Sequence, residues 1–386
     1  MIYNDFLYGS WELPDFLERL VHTKEMVRLR NIAQSVMPNC LMPLGTIPNR
    51  FQHGLGVAYL ATAVLRNNPS LLNEYRILLP VASLLHDAGN PPFSHLGEYF
   101  LKEVTGKDGE SFLEEVLDDS ETEKVLRNLG VNVDDILGLV TGKAKPFAEI
   151  LNGSMDIDNL DNVGRFDKAA RLGHESFDAP RLASAFRFSD GEWIISGGFY
   201  SYQEAQKWKR VRLIVYNSVY GQPHLNVAAM LYRAVELAFV ANNLTRDFFF
   251  LDDFQALEHL LRRSNDKTAR LVERALRWEW YQEMVGLWIM EPSQKMISLA
   301  PNWRSRMDLA NQICERFDIP DEDVCVYIGR GRDKRRVTLP FVSSEGEWRY
   351  DDSVDEAPIY RVKIYAPEKY STKKELIHDF VEQEVS

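Results

Sequence analysis

Two imidazoles and two carboxylates in three separated segments (His53, the adjacent His86 and Asp87, and Asp158) are the residues of this 386-residue chain best suited to chemistry. Together they can hold one divalent metal ion. Mixed nitrogen and oxygen donors favour borderline or hard ions, so the expected cofactor is a single Mn, Fe, Ni, Zn, Co or Mg ion rather than a thiolate-bound metal. Such an ion lowers the pKa of bound water and neutralises charge developing on phosphorus, which makes hydrolysis of a phosphate ester the natural reaction.

The elements that must position these groups read as helices. From Trp11 to about residue 171, apolar residues recur at intervals of three and four, as in Leu17, Leu20 and Val21 or Val57, Leu60, Ala61 and Val64. Pro91 and Pro92 end a helix directly after the His86-Asp87 pair. Asp156 and Asp161 flank Asp158 at spacings that cannot share one helix face. Asp156 suits a helix cap, and Asp161 suits a partner such as Arg165. Between Ala185 and Tyr202 the pattern changes to short alternating runs around Asp190-Gly191, the signature of a hairpin. Helical spacing returns from about Gln203 to Gly286. From Asp323 onward, Cys325–Ile328, Arg336–Leu339 and Tyr360–Tyr365 read as strands. The expected fold is mainly α: a helical core over residues 1–290 with a β-hairpin insertion at about 185–202, and a small α+β appendage over 291–386.

A hydrophobic content of 45% supports a substantial core. Three cysteines, Cys40, Cys314 and Cys325, are too few and too far apart for a disulfide framework or a zinc finger, which fits a reducing compartment. The N-terminus lacks the basic start and apolar run of a signal peptide, and no apolar stretch approaches the roughly 20 residues that span a bilayer. The expectation is a cytoplasmic protein with no membrane partner. A net charge of −12 argues against nucleic acid as a partner. The basic run from Gly329 to Arg336, the run from Lys207 to Arg212 and the acidic run from Asp351 to Glu356 read most simply as solvated turns and a helix face.

Two longer patterns surround the metal-binding residues: Asn-Arg-Phe-x-His-x-Leu-Gly-Val from Asn49 to Val57, and His-Asp-x-Gly-x-x-Pro-Phe-Ser-His from His86 to His95. With Asn4-Asp5, Gly9, Glu12-Leu13, Arg28-Leu29-Arg30, Ile32 and Gln34, they make the stretch from Asn4 to about Arg165 resemble the HD-domain metal phosphohydrolases. More narrowly it resembles the deoxynucleotide triphosphohydrolases, which include bacterial dGTPase-like enzymes and the sterile-alpha-motif HD-domain dNTPase of animals. The dipeptide alone carries no signal, since His378-Asp379 lacks every surrounding element.

The resemblance implies a helical HD-domain core, a nucleotide substrate and a homo-oligomer. It assigns the metal to His53, His86, Asp87 and Asp158. His95 matches a histidine beside the scissile phosphate and becomes the expected general acid, with Glu98 to orient it, while Asp87 helps to orient the attacking water. Gln34, Arg50, Arg212 and Tyr220 match substrate-binding residues. The departures are equally specific. Asn90 stands where a further histidine is common. Lys107 and Asp108 stand where a His-Glu pair acts, so Lys107 inherits a catalytic position with a poor proton shuttle. Asn162 and Phe166 replace a tyrosine and an aspartate near the sugar. The expected reaction is therefore dNTP hydrolysis to deoxynucleoside and triphosphate. The alternatives are a phosphomonoesterase or phosphodiesterase acting on another nucleotide, and a nucleotide-binding regulatory protein with little turnover.

Overall fold

A capping box opens the helix that carries His53. Asn49 Oδ1 accepts the Gln52 amide at 2.8 Å, and Gln52 Oε1 accepts the Asn49 amide in return. The helix Arg50–Arg66 therefore begins just short of the histidine and buries nearly all its residues. In the computed structural model, the described residues are 1–35, 37–41, 47–71, 75–153, 155–170, 175–219, 225–299, 302–330, 340–343, 346–349 and 360–385. The chain divides into two compact units.

The first unit comprises Met1–Ser35, Gly45–Val215 and Arg335–Ser353. It opens with an antiparallel hairpin, β1 (Ile2–Asp5) and β2 (Gly9–Glu12). The helices α1 (Asp15–Leu20), α2 (Lys24–Arg28), α3 (Arg50–Arg66) and α4 (Leu78–Leu85) follow. Next come α5 (His95–Thr105), α6 (Gly109–Leu117), α7 (Glu121–Leu129) and α8 (Val133–Val140), then α9 (Ile157–Ala170), α10 (Ala179–Ala185) and α11 (Gly198–Val219). Helix α3 is the central rod, packed against α4, α9 and α10. Its Val57, Ala58, Leu60, Ala61 and Val64 are fully enclosed with Val81, Leu84, Leu85, Ile157 and Leu160 in one hydrophobic core. The expected hairpin is present as β3 (Phe186–Ser189) and β4 (Glu192–Ser196), closed by Asp190 and Gly191 at positive φ. The strand Pro340–Ser343 adds to β4 in parallel and turns back through Gly346–Arg349.

The second unit comprises Val36–Leu44, Tyr216–Lys334 and Val354–Ser386. Its three-stranded antiparallel sheet has Tyr360–Ala366 at the centre, with Gln282–Ile289 and Cys325–Arg330 at the edges. Val362, Ile364, Ile313, Ile377 and Val381 form its core, the last two from the C-terminal helix Lys374–Val385. The α+β character expected for the tail is present, but the long run of the first unit stops at Val215 rather than near residue 290, and Arg335–Ser353 from the tail belongs to the first unit. The helices Leu225–Val240, Asp253–Arg262 and Asp266–Leu276 belong with the sheet unit, the first packing against Cys325–Arg330. Residues 282–286, expected to be helical, begin an edge strand. The strand expected at 336–339, the basic residues 331–336 and the acidic run 351–356 lie outside the described residues.

The run from Lys207 to Arg212 is helical, as expected, with Trp208 fully buried and Arg210 paired to Glu175. His378-Asp379 lies on the C-terminal helix without a third ligand grouped beside it among the described residues. No helix is long and apolar enough to cross a membrane, among the described residues. All three cysteines are free thiols.

Candidate metal centre

Three elements of the first unit bring the expected ligands together. His53 lies in the first turns of α3, His86 follows the last residue of α4, and Asp158 is the second residue of α9. Asp156 caps α9, accepting the Asn159 and Gly153 amides at 2.6 and 2.8 Å. That cap fixes where the helix begins and thus where Asp158 points. One ligand atom each from His53, His86 and Asp158 lies within 4.8 Å of the others. His53 Nε2 is 2.8 Å from Asp158 Oδ1, and His86 Nε2 is 3.8 Å from the same oxygen. Asp87 Oδ2 completes the set, 3.7 Å from His53 Nε2 and 3.6 Å from His86 Nε2.

These residues fit a divalent ion because their free atoms converge without other partners. His86 Nδ1 is hydrogen-bonded to the Ser83 carbonyl at 2.7 Å, which fixes the tautomer with the proton on Nδ1 and leaves Nε2 as a lone-pair donor. Neither that Nε2 nor Asp87 Oδ2 has a hydrogen-bond partner, although both are buried. Buried polar atoms left unmatched cost about 1–3 kcal/mol each, so two aimed at one point mark a cation site. Asp158 is 34% exposed against 3% for His53, so the centre opens on the side of α9.

Neighbouring groups hold each ligand in place. Arg50 Nη1 meets Asp87 Oδ1 at 2.6 Å, and its Nε donates to Ser94 Oγ at 2.9 Å. Ser94 donates in turn to the Ala33 carbonyl. Phe93 and Ser94 adopt positive φ (63° and 51°), a strained backbone of about 1–3 kcal/mol per residue held by these bonds. Asn90 Nδ2 donates to Asp87 Oδ1 at 2.7 Å, so the asparagine that replaces a family histidine holds the ligand carboxylate. Asp161, at zero exposure, takes His53 Nδ1 at 2.7 Å and receives both Nε and Nη2 of Arg165 at 2.8 Å, the pairing expected from the sequence.

The electrostatics follow from these contacts. Burial alone lowers the His53 pKa, but hydrogen bonds to Asp158 and Asp161, with their charges, outweigh it and push it up to about 10 in the absence of an ion. Burial raises Asp87, yet the Arg50, His86 and His53 charges bring it well below the usual carboxylate range. Burial and the adjacent Asp158 charge push Asp156 up to about 8.

The other expected site residues are placed less uniformly. His95 begins α5 as an exposed side chain, its Nδ1 3.3 Å from Glu98 Oε2, so the expected orienting partner is present. Buried Gln34 donates Nε2 to Asn162 Oδ1 at 3.1 Å, one turn beyond Asp158. Lys107 is not a free base: its ammonium is 2.9 Å from Glu114 and 3.2 Å from Glu115, and the Glu114 hydrogen bond keeps it protonated. Arg212 lies over the Trp208 ring at 5.6 Å, and Tyr220 falls outside the described residues.

Two residues near the centre carried no functional reading in the sequence. Arg28 donates Nη2 to the carbonyls of Ala88 and Asn90 at 2.7 and 2.9 Å, clamping the turn that follows the ligand pair. Glu110 lies in the first turn of α6, whose Gly109 abuts Asn90 and Glu98. Partial burial and the charges of Asp108, Asp158, Glu98 and Asp87 push Glu110 up to about 7. The only sequence signal for Arg28 was its place in the Arg28-Leu29-Arg30 element of the resemblance, and an isolated helical glutamate such as Glu110 gives none.

Residues 50–165 match the family model described as HD domain. An uncharacterized protein of Methanocaldococcus jannaschii is 25% identical over 384 residues, covering 95% of this chain and 79% of that protein. The deoxynucleoside triphosphate triphosphohydrolase SAMHD1 of Xenopus laevis is 38% identical over 101 residues, which span 25% of this chain and only 16% of that relative. A phosphohydrolase structure from Bacteroides thetaiotaomicron superimposes with a TM-score of 0.71 at 18% identity, over 95% of this chain and 100% of that one. A hypothetical protein from Aquifex aeolicus does so with a TM-score of 0.72 at 20% identity, over 98% and 99%. The two structures share the fold. Residues 50–165 are thus an HD domain, and its His53, His86 and Asp158 are grouped as a metal site would require.

Proposed function

We propose that the chain hydrolyses a deoxynucleoside triphosphate to deoxynucleoside and triphosphate, using one divalent ion held by His53, His86, Asp87 and Asp158. The observation that supports this most is the convergence of those ligands with two unpartnered buried atoms, His86 Nε2 and Asp87 Oδ2. Similarity to the deoxynucleoside triphosphate triphosphohydrolase SAMHD1 over 101 residues supports a deoxynucleoside triphosphate as the substrate class. A divalent ion bound there supplies positive charge beside the phosphate and makes water more acidic.

The protein's own groups divide the remaining work. Arg50 fixes Asp87 through one nitrogen and Ser94 through another, so the ligand carboxylate keeps one orientation while substrate binds. His95, exposed and supported by Glu98, is the group able to hand a proton to the leaving sugar oxygen. Gln34, whose Oε1 has no hydrogen-bond partner, is the acceptor this reading offers to the substrate, its Nε2 being held by Asn162. Arg212 is the phosphate contact that the resemblance adds to this reading, which also takes the protein to be a homo-oligomer.

A second reading is favoured by particular residues. Asn162 is spent on Gln34, and Phe166 packs against the hydrophobic core, so neither supplies the aromatic and acidic sugar contacts expected of a dNTPase. Another nucleotide or phosphorylated metabolite would then be the substrate. The two readings separate on product identity. Purified protein is loaded with Mg, Mn, Fe(II), Co, Ni or Zn and incubated with dNTPs, NTPs and NMPs, with Asp158→Ala as control. Nucleoside plus triphosphate, absent in the control, supports the first reading. Free phosphate or a monophosphate supports the second, and nucleotide binding without turnover by any metal form sinks both.

A further inference from the structure

His53 is the inner end of a buried ionic chain that reaches the N-terminal hairpin. Beyond Asp161 and Arg165, the remaining guanidinium nitrogen Nη1 donates to Asp5 Oδ2 at 3.0 Å. Asp161 and Arg165 have no solvent exposure, Asp5 has 1% and His53 3%. Asp5 uses its other oxygen locally, accepting the Leu7 and Tyr8 amides at 2.7 and 3.1 Å in the β1–β2 turn. That turn needs only an oxygen acceptor, which an asparagine also provides. A second buried carboxylate on the same guanidinium carries a desolvation cost that a turn does not require.

We propose that Asp5 is a positioning residue for the metal centre: by sharing Arg165 with Asp161, it leaves Asp161 a strong acceptor for His53 Nδ1–H and so keeps His53 Nε2 facing the ion. The proposal rests on the reading of His53, His86 and Asp158 as metal ligands. Without the Asp5 charge, the whole guanidinium charge falls on Asp161. The carboxylate then accepts more weakly, the imidazole becomes a poorer donor to a cation, and Arg165 loses the anchor that sets its angle. Removing a carboxylate that directly holds a metal-binding histidine weakens metal binding about 10–100-fold. Asp5 acts one residue further out, so the lower end, about tenfold, is expected.

Asp5→Asn keeps the volume and the turn acceptor while removing the charge, and Asp5→Glu restores the charge. Asn4→Ala removes the Ser10 Oγ contact from the same hairpin and tests hairpin integrity. Each full-length variant, stripped of metal, is titrated with Co(II) and followed by visible absorption and by denaturant unfolding. The proposal expects Asp5→Asn to raise the Co(II) dissociation constant about tenfold and shift the visible bands. Asp5→Glu should bind more tightly than Asp5→Asn, and Asn4→Ala should match the wild type. Wild-type affinity in Asp5→Asn overturns the proposal, as does equal weakening in Asn4→Ala or weaker binding by Asp5→Glu than by Asp5→Asn. If Asp5→Asn does not fold, the comparison of Asp5→Glu with Asn4→Ala decides, because only loss of hairpin integrity predicts that Asn4→Ala is the weaker binder. A wild type that binds no Co(II) defeats the metal-centre reading itself, and the proposal with it.

Discussion

Gly56→Ala puts the tightest packing of the centre to the test. A methyl group built on Gly56 would lie 2.0 Å from Asp161 Oδ2 and 2.3 Å from Arg165 Nη2, where ordinary contact begins near 3.4 Å. Moving from 2.0 to 3.4 Å displaces the carboxylate by about 1.4 Å. That exceeds the slack in hydrogen bonds of 2.7 Å to His53 and 2.8 Å to Arg165, and both partners are enclosed. Alanine in a helix gains about 1 kcal/mol over glycine. Breaking a buried ion pair costs about 3–5 kcal/mol, so the clash wins and a net loss of about 2–4 kcal/mol is expected. Urea unfolding of the metal-free protein measures this, and a metal titration should show weaker binding because His53 loses its Nδ1 partner. A variant as stable as the wild type, or more stable, would refute the reasoning, since helix propensity alone predicts a gain.

Three further outcomes follow from the same contacts. Arg28→Ala removes two charge-assisted hydrogen bonds to the 88–90 turn and should cost about 2 kcal/mol of stability while lowering kcat more than it raises KM, with Arg28→Lys intermediate; equal kcat in all three proteins would exclude a clamp. His53, held near pKa 10 without an ion against an ordinary 6.5, stabilises the metal-free fold fully below about pH 6.5 and loses that contribution as pH rises through 10. Metal must displace its proton, so affinity should rise about tenfold per pH unit from 7 to 9, and calorimetry in buffers of different ionisation enthalpy should show about one proton released per ion. Glu110 is raised to about 7 from 4.5, so its charged form destabilises the fold as pH climbs through that range. Glu110→Gln should therefore be the more stable protein at pH 8 and equal to wild type at pH 4; a difference of the same size at both values would point to packing instead.

Of the candidate ligands, His53, His86 and Asp87 stood out because they lie inside two long local patterns, and helical spacing told which elements carry them, whereas Asp158 had only its position ahead of Asp161. What surrounds them was legible only where partners are close in sequence. Asp161 and Arg165 sit one turn apart and could be paired by inspection, whereas Arg165 and Asp5 are 160 residues apart. The resemblance gives Lys107 a catalytic position, but Glu114 and Glu115, two turns further on the next helix, decide its charge. The strand Gln282–Ile289 lacks a strand signature for a different reason. A register shift between Glu283 and Val285 breaks its alternation, so Met284 and Val285 are buried side by side and mimic a helical spacing. The division near Val215 was hidden as well, since helices on both sides of it have the same apolar period and only their contacts assign them to different units.

Charge balance connects the geometry to the choice of ion. The centre and the groups locked to it hold four carboxylates, Asp5, Asp87, Asp158 and Asp161, against two guanidinium groups, Arg50 and Arg165. With neutral imidazoles, two negative charges remain in a region of low exposure, where uncompensated charge is expensive. A proton on His53 cancels one of them, which is why burial fails to lower its pKa. A divalent cation cancels both and also occupies the unpartnered His86 Nε2 and Asp87 Oδ2, which a proton on His53 does not reach. A monovalent ion leaves the same residual charge as that proton and gains less from each ligand. The preference for a doubly charged ion therefore depends on Asp5, far from the ligands in sequence, as well as on the His-Asp pair, since without the Asp5 carboxylate one negative charge would remain instead of two.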